Sequence, residues 1–230
     1  MRRLSTVAEM TLRELIRRRG VLALLLLLPM GFYLVRRDEA VGQSVRSLFL
    51  GIGWAVSTAA LFATSANRAI EPRLRMAGYH SHHLYLGRML GLWTLGGLLA
   101  APFLGLIMVD TTGVRLGAVT LAMACCVAVA APFGMLIGEL LPRELEGTLL
   151  LLTAVALQMT IDPATTTARL TPFWSSREIG TYAVDRTSQD YLERGLAHGV
   201  AMTLLLVAAV AVTSTWRLRR RGHLRQVQTG

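Results

Sequence analysis

The chain has 230 residues, 53% of them hydrophobic, with a mean hydropathy of +0.48 and a formal charge of +10. Apolar runs of membrane length recur along it, which excludes an ordinary soluble domain; its arginines flank those runs, so the basic charge points to lipid and not to nucleic acid. All 24 basic residues are arginine, which leaves no GxxxxGK[ST] phosphate loop and no Schiff-base lysine in this sequence.

Leu4, Val7, Ala8, Thr11, Leu12 and Leu15 recur at three- and four-residue spacing, while Glu9, Arg13 and Arg17 take the other face. Residues 1–19 therefore read as a basic amphipathic helix lying in the headgroup layer. Thr6 and Glu9 match a capping box at its start. The apolar run after Gly20 leads to Arg36-Arg37-Asp38-Glu39 and to no small-residue cleavage site, so it does not read as a cleavable signal.

The first span is expected over Gly20–Val35, with Pro29 inside. It reaches only about 24 Å, short of a roughly 30 Å hydrocarbon core, so snorkelling arginines or local thinning must absorb the difference. The second span runs from about Ser47 to Ala66. Between it and the third span, Met89–Val109, lies the polar, basic island Asn67–Arg88. Glu71-Pro72 opens the island and Gly78 interrupts it, the pattern of a short helix over Pro72–Ala77. Such a stub, roughly 9 Å long, is held by its flanking spans and suits a groove on a partner. His80, Ser81, His82 and His83 form an H-x-H-H cluster, too few ligands for a closed zinc site. Ser81 reads instead as the N-cap of the third span.

The fourth span covers about Leu116–Ile137. It contains Cys125 and Cys126, read as small packing residues, and its inner end carries Gly134-x-x-x-Gly138, a weak sign of close helix packing. Glu139, Glu144 and Glu146 crowd the next turn with Arg143, where partner contact or helix capping is expected. The fifth span starts near Gly147 and meets Asp162 after about fifteen residues. The segment Asp162–Arg194 then carries Leu170-Thr171-Pro172-Phe173-Trp174, either half-helices dipping back into the outer leaflet or an aromatic interfacial anchor. The sixth span, Gly195–Trp216, ends in Arg217-Leu218-Arg219-Arg220-Arg221. With the N-terminus inside, sixteen arginines fall on the cytosolic side and eight outside. That bias favours six crossings with both termini cytosolic.

The order and spacing of TVAEMTLRELIRRRGVLALLLLLPM, RLRMAGYHSHHLYLGRML and LLPRELEGTLLLL resemble the permease subunits of ABC-type-2 exporters, over essentially the whole chain. The resemblance implies an all-α polytopic protein with six spans and an interfacial N-terminal helix. It also implies a cytosolic coupling helix between spans 2 and 3 and re-entrant half-helices between spans 5 and 6. Its parts would be the interfacial helix 1–19, the transmembrane domain 20–216 and a basic cytosolic tail 217–230. Pro72–Ala77 would be the coupling helix, with Glu71 at its edge. Pro72, Arg73, Leu74, Arg75, Met76, Ala77 and Gly78 would dock a separate ABC ATPase present in two copies, Arg73 and Arg75 facing it. That partner would hold ATP and Mg; this chain would hold no cofactor or metal and no catalytic residue. A second permease copy is expected beside it, as a homodimer in a bacterial plasma membrane. Trp54, Thr58, Phe62, Leu157 and Gln158 would line a central cavity for an amphipathic drug, peptide or lipid-like cargo. A non-transporting sensor or immunity subunit of the same fold is the alternative. A lipid-acting membrane enzyme would need a clustered acid, nucleophile or metal set that the spacing does not provide.

Overall fold

The computed structural model describes residues 2–35, 37, 41–68, 70–162, 165–185 and 187–223, and these are helical and free of strands. The helices are α1 (Arg2–Arg17), α2 (Arg19–Leu34), α3 (Val41–Asn67), α4 (Glu71–Met76), α5 (Ser81–Asp110), α6 (Leu116–Leu140), α7 (Glu144–Thr160), α8 (Trp174–Val184) and α9 (Asp190–His223). A 3-10 turn, Thr166–Leu170, precedes α8. Four helices, α3, α5, α6 and α9, are long and apolar enough to cross a bilayer, while α2 is apolar but has only 16 residues. The described residues thus form an all-helical bundle whose four long apolar helices mark a membrane protein.

Helix α3 is the axis of the bundle, and α2, α5, α6, α7 and α8 all pack on it. Its most apolar stretch is 83% buried, against 22% for that of α9. The two are similarly apolar, so the contrast separates a helix surrounded by protein from one that turns its apolar side outward to lipid. Close approach is what permits this crowding. A Cβ at Gly134 of α6 would stand 2.0 Å from the carbonyl oxygen of Ser57 in α3, and one at Gly138 would stand 2.9 Å from Thr64. At such contacts only glycine lets two backbones meet. Ser57 then bonds the Ala130 carbonyl at 3.0 Å, and Cys126 donates to that of Phe49 at 3.1 Å.

The same device recurs at two places that the sequence reading passed over. Gly87 and Gly91 of α5 admit α1, where a Cβ at Gly91 would come within 2.7 Å of the Ala8 carbonyl oxygen. Val7, Thr11 and Leu15 bury that face of α1 against the bundle, while Glu9 pairs outward with Arg13. Gly195 of α9 admits α8 in the same way, facing Ile179 and the Ser175 backbone, while Gly199 lies against the side chains of Cys125 in α6 and Ser175 in α8.

Two local expectations are corrected. Helix α1 already runs from Arg2, so Thr6 and Glu9 lie inside it and form no capping box. Its amphipathic spacing, with Leu4 against Gly87, carries the helix past the local capping pattern. Helix α5 begins at Ser81, one residue before the start that a Ser81 N-cap implies, and its N-cap is His80. There the backbone N–H of His80 donates to Nδ1 of His83 at 3.3 Å, which supplies the cap that Ser81 was expected to give. Within the segment Asp162–Arg194, α8 packs against α9, α6 and α3. Trp174, Ser175, Ser176, Glu178, Ile179, Gly180 and Ala183 are buried by that packing.

Gly134→Ala is expected to lower stability by about 1–3 kcal/mol through overpacking against α3. Gly97→Ala, where an added Cβ meets nothing within 4 Å, should cost nothing measurable. Thermal unfolding in detergent micelles compares the two, and equal losses would contradict the packing account.

Candidate functional site

The element that stands apart from the bundle is α4, six residues between α3 and α5. It is held in shape by its ends. The N–H groups of Arg73 and Leu74 donate to the Ile70 carbonyl at 3.0 and 3.1 Å. At the other end Gly78, with φ +83°, turns the chain so that its N–H reaches Arg75 and that of Tyr79 reaches Leu74 at 3.1 Å. A left-handed residue after the last turn is the usual glycine role. Arg3 of α1 donates to the Gly78 carbonyl and lies 5.7 Å from the Tyr79 ring centre, so α1 also braces the stub.

Glu71 fixes how α4 is oriented. It was expected at the rim of a docking surface, yet it is only 3% exposed and its carboxylate is turned into the bundle. Oε1 accepts from Arg88 of α5 at 2.9 Å, and Oε2 accepts from Arg217 of α9. One carboxylate thus joins α4 to two long helices, with partners 17 and 146 residues away. Next to it, Glu139 of α6 accepts hydrogen bonds from Thr213 and Ser214 of α9. Arg68, at the end of α3, donates to the carbonyls of Gly138, Leu141 and Pro142, capping the C-terminus of α6.

With Glu71 turned inward, α4 exposes Pro72, Arg73, Arg75 and Met76, followed by Ala77 and Gly78, while Leu74 is half-buried. Met76 is 68% exposed. This is a small basic face with apolar atoms in it, held away from the core by its own anchor. The three histidines that follow lie against one another in tilted and edge-to-face pairs, with ring centres 4.1 to 5.6 Å apart. Among the described residues no group of His, Cys, Asp or Glu is arranged to hold a metal. Glu144 begins α7 and is exposed, and Glu146 pairs with Arg143 at 2.8 Å.

The five residues read as cavity-lining do not share one wall. Trp54 and Phe62 of α3 pack on a small cluster of Leu61, Ile137 and Leu151. Leu157 of α7 is 53% exposed, and Thr58 and Gln158 are buried. Trp54 Nε1, Thr58 Oγ1 and Gln158 Nε2 have no protein hydrogen-bond partner among the described residues. The Gln158 carbonyl oxygen accepts from the backbone N–H of Phe173 at 3.2 Å, which ties α7 to the start of α8. Of the five, only Gln158 borders a cavity of about 620 Å³ at the end of the bundle remote from α4.

Sequence reasoning missed Arg88, Arg217 and Glu139 as members of the α4 anchor. Arg88 was taken as the last residue of a polar loop, but it sits in the second turn of α5 and is buried. The available signal was its place one residue before the apolar run, where a lone arginine needs a partner. No family model matches this chain, and no curated protein matches it in sequence.

Replacing one member of a buried ion pair leaves the other uncompensated, at a cost of about 3–5 kcal/mol. Glu71→Ala and Arg88→Ala should each show a loss of that order in thermal unfolding. The double variant should lose clearly less than the sum of the two, since the groups interact directly. Additive losses would contradict the geometry.

Proposed function

We propose that this chain is the permease subunit of an ATP-driven exporter of the ABC-type-2 kind, with α4 as the coupling helix on which a separate ATPase acts. In this reading α2, α3, α5, α6, α7 and α9 are the six crossings, and α4 and both ends of the chain lie in the cytosol. The 16 residues of α2 and 17 of α7 reach about 24–26 Å, which tilted neighbours and a thinned bilayer accommodate.

One observation carries the proposal: the buried Glu71 carboxylate bonded to Arg88 and Arg217. A connector that only reversed the chain would gain nothing from burying a carboxylate against one buried and one half-buried guanidinium group, because desolvation cancels most of their attraction. What such a cluster does supply is a fixed orientation. A push on Arg73, Arg75 or Met76 reaches α5 through Arg88 and α9 through Arg217 without bending a loop. A pathway for cargo would be completed by a second copy of the chain.

ATP and Mg would belong to the partner, whose closure moves α4. The residues here transmit that movement, and tilting of the helices moves an amphipathic cargo toward the outer side. The basic face of α4 is the expected grip.

Arg73→Glu reverses a charge on that face without touching Glu71. The variant should unfold at the same temperature as the parent. Capture of a P-loop ATPase from native membranes should fall at least tenfold, and ATP-dependent cargo release from vesicles should fall with it. Unchanged capture together with unchanged release would overturn the proposal. Capture of the ATPase by the parent chain without any release would favour the sensing role.

A further inference from the structure

The 620 Å³ cavity remote from α4 is bordered by the start of α3, the end of α7, the 3-10 turn, α8 and the start of α9. Its wall carries four arginines, Arg46, Arg169, Arg177 and Arg194, and one carboxylate, Glu178. Arg194 pairs with Glu178 at 3.2 Å, and Arg46 pairs with Asp185 behind the wall. Arg177 donates to the Ile161 carbonyl at 3.3 Å, with Asp162 acting on it through space. Burial and then the neighbouring Arg46 guanidinium push Arg177 below its ordinary range, a sign of crowded cations. Arg169 lies over the indole of Trp174, 5.8 Å from its ring centre. Even with Asp162 and Asp185 counted, the cations outnumber the carboxylates.

Two further wall residues are buried and offer hydrogens with nothing to receive them. Gln158 is 3% and Trp174 5% exposed, and Gln158 Nε2 and Trp174 Nε1 have no protein acceptor among the described residues. A buried indole N–H or amide normally has a partner. An indole N–H cannot accept, and the Gln158 oxygen is already engaged by Phe173, so both sites ask for an acceptor. Phe49, Leu50, Met159 and Phe173 complete the wall with apolar surface. The volume falls in the range of small-molecule sites.

From this arrangement we infer that the cavity binds a phosphate-bearing anion, its oxygens received by Arg169, Arg177, Trp174 and Gln158. Guanidinium groups match phosphate oxygens in paired hydrogen bonds, and the two neutral donors add direction. The anion is either free phosphate or the headgroup of a lipid whose chains run along the exposed apolar end of α7. This site is independent of whatever docks on α4.

The test uses the purified full chain in neutral detergent. Inorganic phosphate is titrated at constant ionic strength against chloride, with thermal stability as the readout. Phosphatidylglycerol is compared with phosphatidylcholine by native mass spectrometry. A response to phosphate identifies a free anion as a ligand, and a preference for phosphatidylglycerol alone identifies the headgroup; either supports the site. Arg169→Gln, exposed at the turn, and Trp174→Phe, which removes only the indole donor from a retained ring, should each weaken binding by about tenfold. Arg143→Gln, at the α4 end, should leave it unchanged. The inference is overturned if neither probe is preferred over its control. It is equally overturned if Arg169→Gln and Trp174→Phe bind as the parent does, or if Arg143→Gln weakens binding as much as they do.

Discussion

Glu71 is a carboxylate taken out of water and shared between Arg88 and Arg217. Everything distinctive about the α4 end follows from satisfying that buried charge. The helix must lie with its first turn inward, so its arginines and Met76 lie outward. Helices α5 and α9, distant in sequence, must end side by side. Glu139, bonded to Thr213 and Ser214, brings α6 to the same place. A cluster of this kind adds little net stability, yet it penalises every arrangement that separates its members. It is therefore a device for geometry, placed at an element too short to have geometry of its own.

The rest of the bundle is organised by close backbone approach. Within apolar surroundings the hydrophobic effect does not hold helices together, so contact between small residues and polar bonds must. Three glycine pairs spaced by four supply the contacts of α1 with α5, α3 with α6, and α8 with α9. At the remote end the connections are ionic and aromatic instead. Tyr33 and Arg37 meet Asp110, and Arg115 donates to the Tyr182 carbonyl while lying over its ring at 4.1 Å. The two ends thus differ in kind: one presents a stub outward, and the other folds α8 back to enclose a basic cavity.

Much of this architecture was legible in the sequence, for definite reasons. Long apolar runs set off by arginine, proline and glycine place the helices within a few residues, and Glu71-Pro72 with Gly78 frames α4. Helix α1 showed in the spacing of Val7, Thr11 and Leu15. The inward face of Glu71 was not legible, because six residues are too few for periodicity to distinguish inside from outside. Its partners depend on tertiary placement. Arg88 looked like loop because charge ordinarily marks the edge of a span, and only burial against Glu71 makes its helical position tolerable. The apparent capping box at Thr6 and Glu9 failed because a two-residue pattern is weaker than the amphipathic stripe through it. The pairs Gly87 and Gly91, and Gly195 and Gly199, stood in plain view, but a glycine pair gains meaning only when a partner helix is known.

The central claim is that α4 is a cytosolic surface anchored from within and gripped from without. The most direct measurement places a cysteine at the exposed Met76 and labels it with a membrane-impermeant maleimide, in intact spheroplasts and in inverted vesicles. The account predicts no labelling in spheroplasts and strong labelling in inverted vesicles, reduced when the proposed ATPase partner is bound. Labelling of Met76→Cys from the outside of intact spheroplasts would contradict it.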